Sequence, residues 1–312
     1  MLESLVKFNE IKERPWLMFL WALLISSVGI VFGYEVSYNV TVSGTTLKLA
    51  GIFSVLFTII PAVYFLTMYI KREEGMDERD IEKHYEKGFW EREEKDIMVL
   101  LFFFAGLTVS YALWAVYLPA DTFQIQIMKV QDIRSSTGNF IGHSGQLMSG
   151  YASGNEYSRF IQILENNLWV TSFAFVFSLI FGAGAIFIIV WNASILGAYI
   201  GRLSESFFHI PIVSLNFLPH GIPEIAGYII AGISGSLISA AVLRGHKDAI
   251  LFGIFRDSMK LLGLALLFVF LGAVIEAMGF TARIIAIFIF YTIFIYIITI
   301  AFVPYAKRKA AK

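Results

Sequence analysis

Residues 216–236 read NFLPHGIPEIAGYIIAGISGS, from Asn216 to Ser236, and they decide the class of the whole chain. Ile222 to Leu243 is an apolar run of the length a helix needs to cross a bilayer, about 20 residues at about 1.5 Å each. Its mouth carries Pro219, His220, Gly221, Pro223 and Glu224. A histidine and a carboxylate are costly there, so they are expected to serve a purpose. His220 and Glu224 are four residues apart and share a face if the helix has begun by Pro219. Pro223 is tolerated in a first turn, where its missing N–H has no intrahelical partner. Behind them Gly227, Ala231, Gly232, Gly235, Ser236, Ser239 and Ala240 form overlapping pairs of small residues, which let a neighbouring backbone come close.

The composition agrees. Of 312 residues 57% are hydrophobic and 15% charged, and the mean hydropathy is +0.71, values of a polytopic helical membrane protein rather than a soluble domain. Basic and acidic residues balance at 24 each, so no overall charge points to nucleic acid or an acidic substrate. The absence of cysteine removes disulfides, thiolate catalysis and cysteine-ligated metals together. The first apolar run follows a segment of mixed charge and precedes no small-residue cleavage site, so it is expected to be an uncleaved membrane helix.

Outward from the quoted stretch, Trp16 to Gly33, Leu47 to Ile70, Ile97 to Leu118 and Leu168 to Trp191 are expected spans before it, the last with Gly182 and Gly184 in its middle. Leu261 to Gly279 and Ile284 to Val303 are expected spans after it. Between the first two, Tyr34 to Thr46 alternates and then reaches Ser43-Gly44, a hairpin signal just outside the membrane. Lys71 to Asp96 holds seven basic and eleven acidic residues and reads either as an amphipathic helix on the membrane surface or as a solvated connector. Pro119 to Asn166 is the longest soluble stretch, rich in Gly and Ser, and a loop of that length is seldom idle.

Ile195 to Phe217 is ambiguous, because it carries Arg202, Glu205 and His209 on one helical face and then Pro211. Charge bias resolves it. The C-terminal cluster Lys307, Arg308, Lys309 and Lys312 and the basic connector at 71–96 fall on the same, inner side only if this segment crosses. The expectation is an all-α polytopic protein of about eight transmembrane segments with an interrupted fifth, both termini cytoplasmic, in the cell membrane. Gly197 and Gly201 would give the fifth segment a close-packing face. Its parts are a three-span region at 1–118, an outer soluble loop at 119–166 and a second membrane region at 167–312.

In that topology His220, Glu224 and Glu276 share one depth with Asn166 and Asn167, which are expected just before the fourth span. Four readings compete. The cluster fixes helix register as a buried polar network; it carries protons or a cation across the bilayer; His220, Glu224 and Glu276 ligate a metal; or Ser234 of Gly232-Ile233-Ser234-Gly235 is the nucleophile of an intramembrane hydrolase. The last is disfavoured, since Ser234 lies fourteen residues beyond His220 on the same helix, roughly 21 Å away. No catalytic residue and no cofactor is expected. Glycines Gly232 and Gly235 read as a packing surface. His84 and His143 read as solvated, His209 as satisfying the buried face of the fifth segment, and Asn192 as the C-terminal cap of the fourth helix.

Leu218-Pro219-His220-Gly221 followed by Glu224 and a glycine-bearing helix resembles the signature of the stage II sporulation protein M family of integral membrane proteins. Glu165-Asn166-Asn167, Asn192 with Gly197, and Gly272-Ala273-Val274-Ile275-Glu276-Ala277 agree with it in order, while Asn192-Ala193 departs from the Asn-Gly the family often has. The resemblance covers about Leu164 to Gly279. It implies a polytopic bundle in which Pro219, His220, Gly221, Glu224 and Glu276 form a shared polar site. The namesake protein looks like a membrane scaffold that recruits cell-wall hydrolases, which makes a scaffold the leading expectation and a transporter or channel using the His/Glu site the alternative. Expected partners are the lipid bilayer and proteins meeting the outer loop and the inner connector; the small-residue faces suit a homo-oligomer as well as packing within one chain.

Overall fold

The apolar runs become helices in a computed structural model, which describes residues 11, 14–42, 45–82, 89–136, 156–182, 184–245, 248–278, 288 and 292. Helix α1, Trp16–Glu35, leads through the antiparallel strands β1, Asn39–Val42, and β2, Thr45–Lys48, into α2, Ala50–Glu82. Helix α3 is Phe89–Tyr117 and the short α4 is Gln124–Ser136. Helices α5, Glu156–Phe181, and α6, Ala185–Leu203, are followed by a 3-10 turn at Phe207–His209 and the five-residue α7, Ile210–Ser214. Helices α8, Leu218–Leu243, and α9, Asp248–Ala277, follow. Among the described residues seven of these helices are long and apolar enough to cross a membrane, and the chain is a multi-pass membrane protein of all-α class. The expected eighth span, Ile284 to Val303, lies outside the described residues apart from Phe288 and Thr292, as do residues 137–155 of the long loop and 83–88 of the charged connector.

Lipid gives helices no hydrophobic reason to associate, so close backbone approach must hold them. Glycines provide it. Helix α1 lays Gly29 and Gly33 against the backbone of Thr58 and Ser54 in α2, and α3 presses Gly106 against the Phe19 carbonyl of α1. Helix α6 lays Gly197 and Gly201 against the carbonyls of Thr108 and Ala112 in α3, and α8 lays Gly235 against the Phe175 carbonyl of α5. Two packed groups result, α1–α2–α3–α6 and α5–α8–α9, joined where α6 and α8 meet α5 and α3. Trp21 packs on Phe65 at 4.3 Å between ring centres in the larger core.

The helix order matches the predicted number of crossings up to α9, but three boundaries move. The predicted fourth span, Leu168 to Trp191, is broken at Gly182, whose φ of +71° suits glycine and few other residues. The chain turns back there, and the Ser178 hydroxyl accepts the Ala185 N–H at 2.9 Å, satisfying one of the unpaired donors of the new helix. The fifth crossing is therefore Ala185–Leu203, and the interruption within Ile195 to Phe217 falls after it, at Ser204 to Ser206. Asn192 is not a cap: it sits within α6, where its amide donates to the Ile188 carbonyl at 2.8 Å. Arg202, Glu205 and His209 do not line a buried face either. All three are exposed: Arg202 lies in the last turn of α6, and Glu205 and His209 come after that helix has ended.

The charged connector is helical at both ends, as the continuation of α2 to Glu82 and the start of α3 at Phe89. The long loop contains α4, and α5 begins before the loop's predicted end, at Glu156. The hairpin forms in the register Asn39 to Lys48 and Val42 to Thr45.

Candidate functional site

Helices α5, α8 and α9 meet around Asn167. Its Nδ2 donates to Glu224 Oε1 at 2.8 Å, and its Oδ1 accepts from the Tyr228 hydroxyl at 2.8 Å and from Asn166 Nδ2 at 3.2 Å. The Thr171 hydroxyl donates to the Asn167 carbonyl at 2.7 Å, one turn further along α5. Both ends of one amide are thus used, and α5 is tied to two successive turns of α8. Asn167, Glu224 and Tyr228 are buried, Glu224 at only 9% exposure, while Asn166 and His220 are half-buried.

Local sequence explains how these groups arrive. Helix α8 begins at Leu218 with Pro219 in its first turn, and Gly221 N–H bonds the Phe217 carbonyl at 2.8 Å, so the helix is under way when Pro223 arrives. Glu224 then stands six residues, about 9 Å, into the span. Gly272 of α9 faces it, and a Cβ at Gly272 would run into Glu224 Cγ and come within 3.1 Å of the His220 carbonyl. Glu276, one turn beyond Gly272, is half-buried and lies within electrostatic reach of Glu224 and Tyr228. The His220 ring meets Phe217 edge-on at 6.3 Å, and Phe217 in turn meets Tyr199 of α6 at 5.7 Å.

The structure therefore brings Asn166, Asn167 and Glu224 into one hydrogen-bonded group, with Glu276 and His220 beside it. Asn166 and Asn167 do not precede their helix, as the sequence suggested; they are the eleventh and twelfth residues of α5, deeper in the span. His220, Glu224 and Glu276 do not form a metal-holding group, and none of three or more His, Asp or Glu exists among the described residues. Gly232 and Gly235 pack against Ala185 and the Phe175 carbonyl, whereas a Cβ at Gly221 would meet nothing within 4 Å. Ser234 donates to the Ser258 carbonyl of α9 at 2.7 Å and is fully buried, which makes it a helix-to-helix tie.

Tyr228 was missed. The signal was present, since it follows Glu224 by four residues and His220 by eight on the same face of α8, but a tyrosine in an apolar run reads as core.

The chemistry open to this group is hydrogen bonding and proton or charge storage. No curated protein and no solved structure matches the chain. The family of stage II sporulation protein M does, over residues 98–279, from the first turns of α3 to the end of α9. That is more than half of the chain and takes in the whole polar cluster: the chain belongs to the stage II sporulation protein M family.

Proposed function

We propose that the protein is an integral membrane scaffold, which organises partner proteins at the cell membrane and is not an enzyme. In this reading residues 98–279 are the rigid platform, and the Asn167 group is the lock that keeps α5, α8 and α9 in one arrangement. The observation that carries it is the use of both ends of the Asn167 amide on bonds between helices, which leaves that residue committed to the bundle. Partners meet the outer loop at 119–166 and the inner connector at 71–96, both termini are cytoplasmic, and a second copy is among the candidate partners.

The test is crosslinking of the tagged chain in its membrane, followed by gentle capture. A near-stoichiometric partner that is lost on deleting Gly138 to Gly154 supports the scaffold. Recovery of the chain alone from both the intact and the deleted form counts against it.

One observation favours a transport reading as well: two carboxylates, Glu224 and Glu276, lie near each other inside the span, where such groups are costly. Reconstituted Glu224→Gln distinguishes the two. Loss of a proton or cation flux at normal abundance in the membrane belongs to the transporter, and a change in assembly with no change in flux belongs to the scaffold.

A further inference from the structure

Helix α4 and the turn that leads into it, with Thr122 and Phe123, pack at the β2 end of α2 with a face that is only half apolar. Phe123 and Ile127 are its dry part: Phe123 meets the Tyr111 ring at 5.7 Å and Ile127 packs on the main core. Thr122 and Gln126, one turn apart, are its polar part, and both are 0% exposed. Neither the Thr122 hydroxyl nor either heteroatom of the Gln126 amide has a hydrogen-bond partner among the described residues. The Gln126 amide lies flat against Gly51, the second residue of α2, where a Cβ would collide with its oxygen, carbon and nitrogen together. Only a glycine leaves the room.

An amide buried without a partner costs roughly 2–7 kcal/mol on transfer scales, and two such groups side by side are seldom retained in a protein interior. Something that is not a protein side chain must therefore meet them. The groups define its chemistry. Gln126 offers one acceptor and a donor, and Thr122 offers both, so the complement must donate and accept at close range. Gly51, whose own N–H belongs to the first turn of α2 and has no acceptor within that helix, is the residue that lies against this amide. No ion suits this set, because the nearby charges are already paired: Lys48 Nζ stands 3.8 Å from Asp121 Oδ1 and over the Tyr34 ring at 4.3 Å. Water does suit it, since internal water characteristically makes two to four such bonds.

We propose that Thr122, Gln126 and the first turn of α2 form a buried water site that seats α4 on the membrane bundle. In this seat α4 is held partly by bonds that bulk water can replace. The consequence is that α4, the helix within the long loop, leaves the bundle more readily than any spanning helix does.

Two measurements test the site. In bilayers, transfer of magnetisation from water to the glutamine side-chain amides is followed by solid-state NMR, the Gln126 signal being the one lost in Gln126→Met. Rapid transfer to this fully buried amide is the expected result, and transfer as slow as that to core methyl groups overturns the proposal. The second is the melting temperature of the purified full chain carrying Gln126→Met or Thr122→Val. A hydrated pair predicts a fall of several degrees for each, because bonds to water are lost. A dry, unsatisfied pair predicts the opposite sign, since removing an unpaired amide stabilises, and an unchanged or raised melting temperature also overturns the proposal. If the Gln126→Met chain does not fold, the Gln126 signal is assigned on the native chain by sequential backbone-to-side-chain correlation, and the NMR measurement decides.

Discussion

Asn167 Nδ2 stands 2.8 Å from Glu224 Oε1 although the two residues are 57 positions apart, and this bond sets the register of α5 on α8. A slip of either helix by one residue would carry one partner to another face and leave a buried carboxylate with lipid or alkyl neighbours. Polar pairs inside a membrane bundle are worth little individually, roughly 0.5–2 kcal/mol, but they select one arrangement among many that pack equally well.

Asn167→Leu removes three bonds in one step and leaves Glu224 and Tyr228 facing an alkyl side chain. The expected loss is about 1–3 kcal/mol of stability, read as a lower midpoint in a detergent-denaturation titration. Glu224→Gln keeps an acceptor for Asn167 Nδ2, and its loss is expected to be smaller than that of Asn167→Leu. The reverse order would mean that the Glu224 charge, and not the hydrogen bond, holds the site.

Two glycines beside the polar cluster should respond with opposite signs. Gly272→Ala forces a Cβ into Glu224 Cγ and is expected to cost about 1–3 kcal/mol. Gly221→Ala meets open space within a helix and should stabilise by up to about 1 kcal/mol, through helix propensity alone. Thermal unfolding of the two variants in the same detergent makes the comparison.

Ser234→Ala removes the tie to the Ser258 carbonyl and is expected to lower stability by about 1 kcal/mol. The native chain should not react with a fluorophosphonate serine probe. Labelling that disappears in Ser234→Ala would restore the hydrolase reading.

Tyr38 and Phe208 are exposed at one end of the bundle and Arg244 at the other, and the chain has no cysteine of its own. Tyr38→Cys and Phe208→Cys should react with an impermeant maleimide from one side of the membrane, and Arg244→Cys only from the other. In the proposed orientation, set by the basic residues of the connector, Arg244 is expected on the cytoplasmic side. Labelling of Phe208→Cys and Arg244→Cys from the same side would mean that α8 does not cross. Ser258, by contrast, is fully buried and would report nothing.

Hydropathy made the crossings up to α9 legible because α1, α2, α3, α8 and α9 each reach membrane length with few interior charges. It could not locate the turn at Gly182, since the residues on both sides are equally apolar and what ends α5 is a backbone angle. The same blindness misplaced Asn192 and the two asparagines of α5. His220 and Glu224 stood out because polar residues are rare in such runs. Tyr228 did not, because its hydroxyl announces itself only when Asn167 is found beside it. Thr122 and Gln126 were hidden for a related reason: in a loop they look solvated, and only the packing of α4 on Gly51 takes them out of water.

The contact of Gly106 with the Phe19 carbonyl joins a helix inside the family match to one outside it. Helix α1 is therefore no passenger on the matched region. A chain started just before Met98 would open the Gly106 notch of α3 to lipid, and with it the Ser110 hydroxyl that now lies 3.0 Å from Ser27. Acyl chains fill a notch of that kind poorly and cannot return a hydrogen bond. Excision of the two leading helices should therefore yield a bundle that still inserts but pairs promiscuously through α3, and supplying α1 and α2 as a separate polypeptide should cure it.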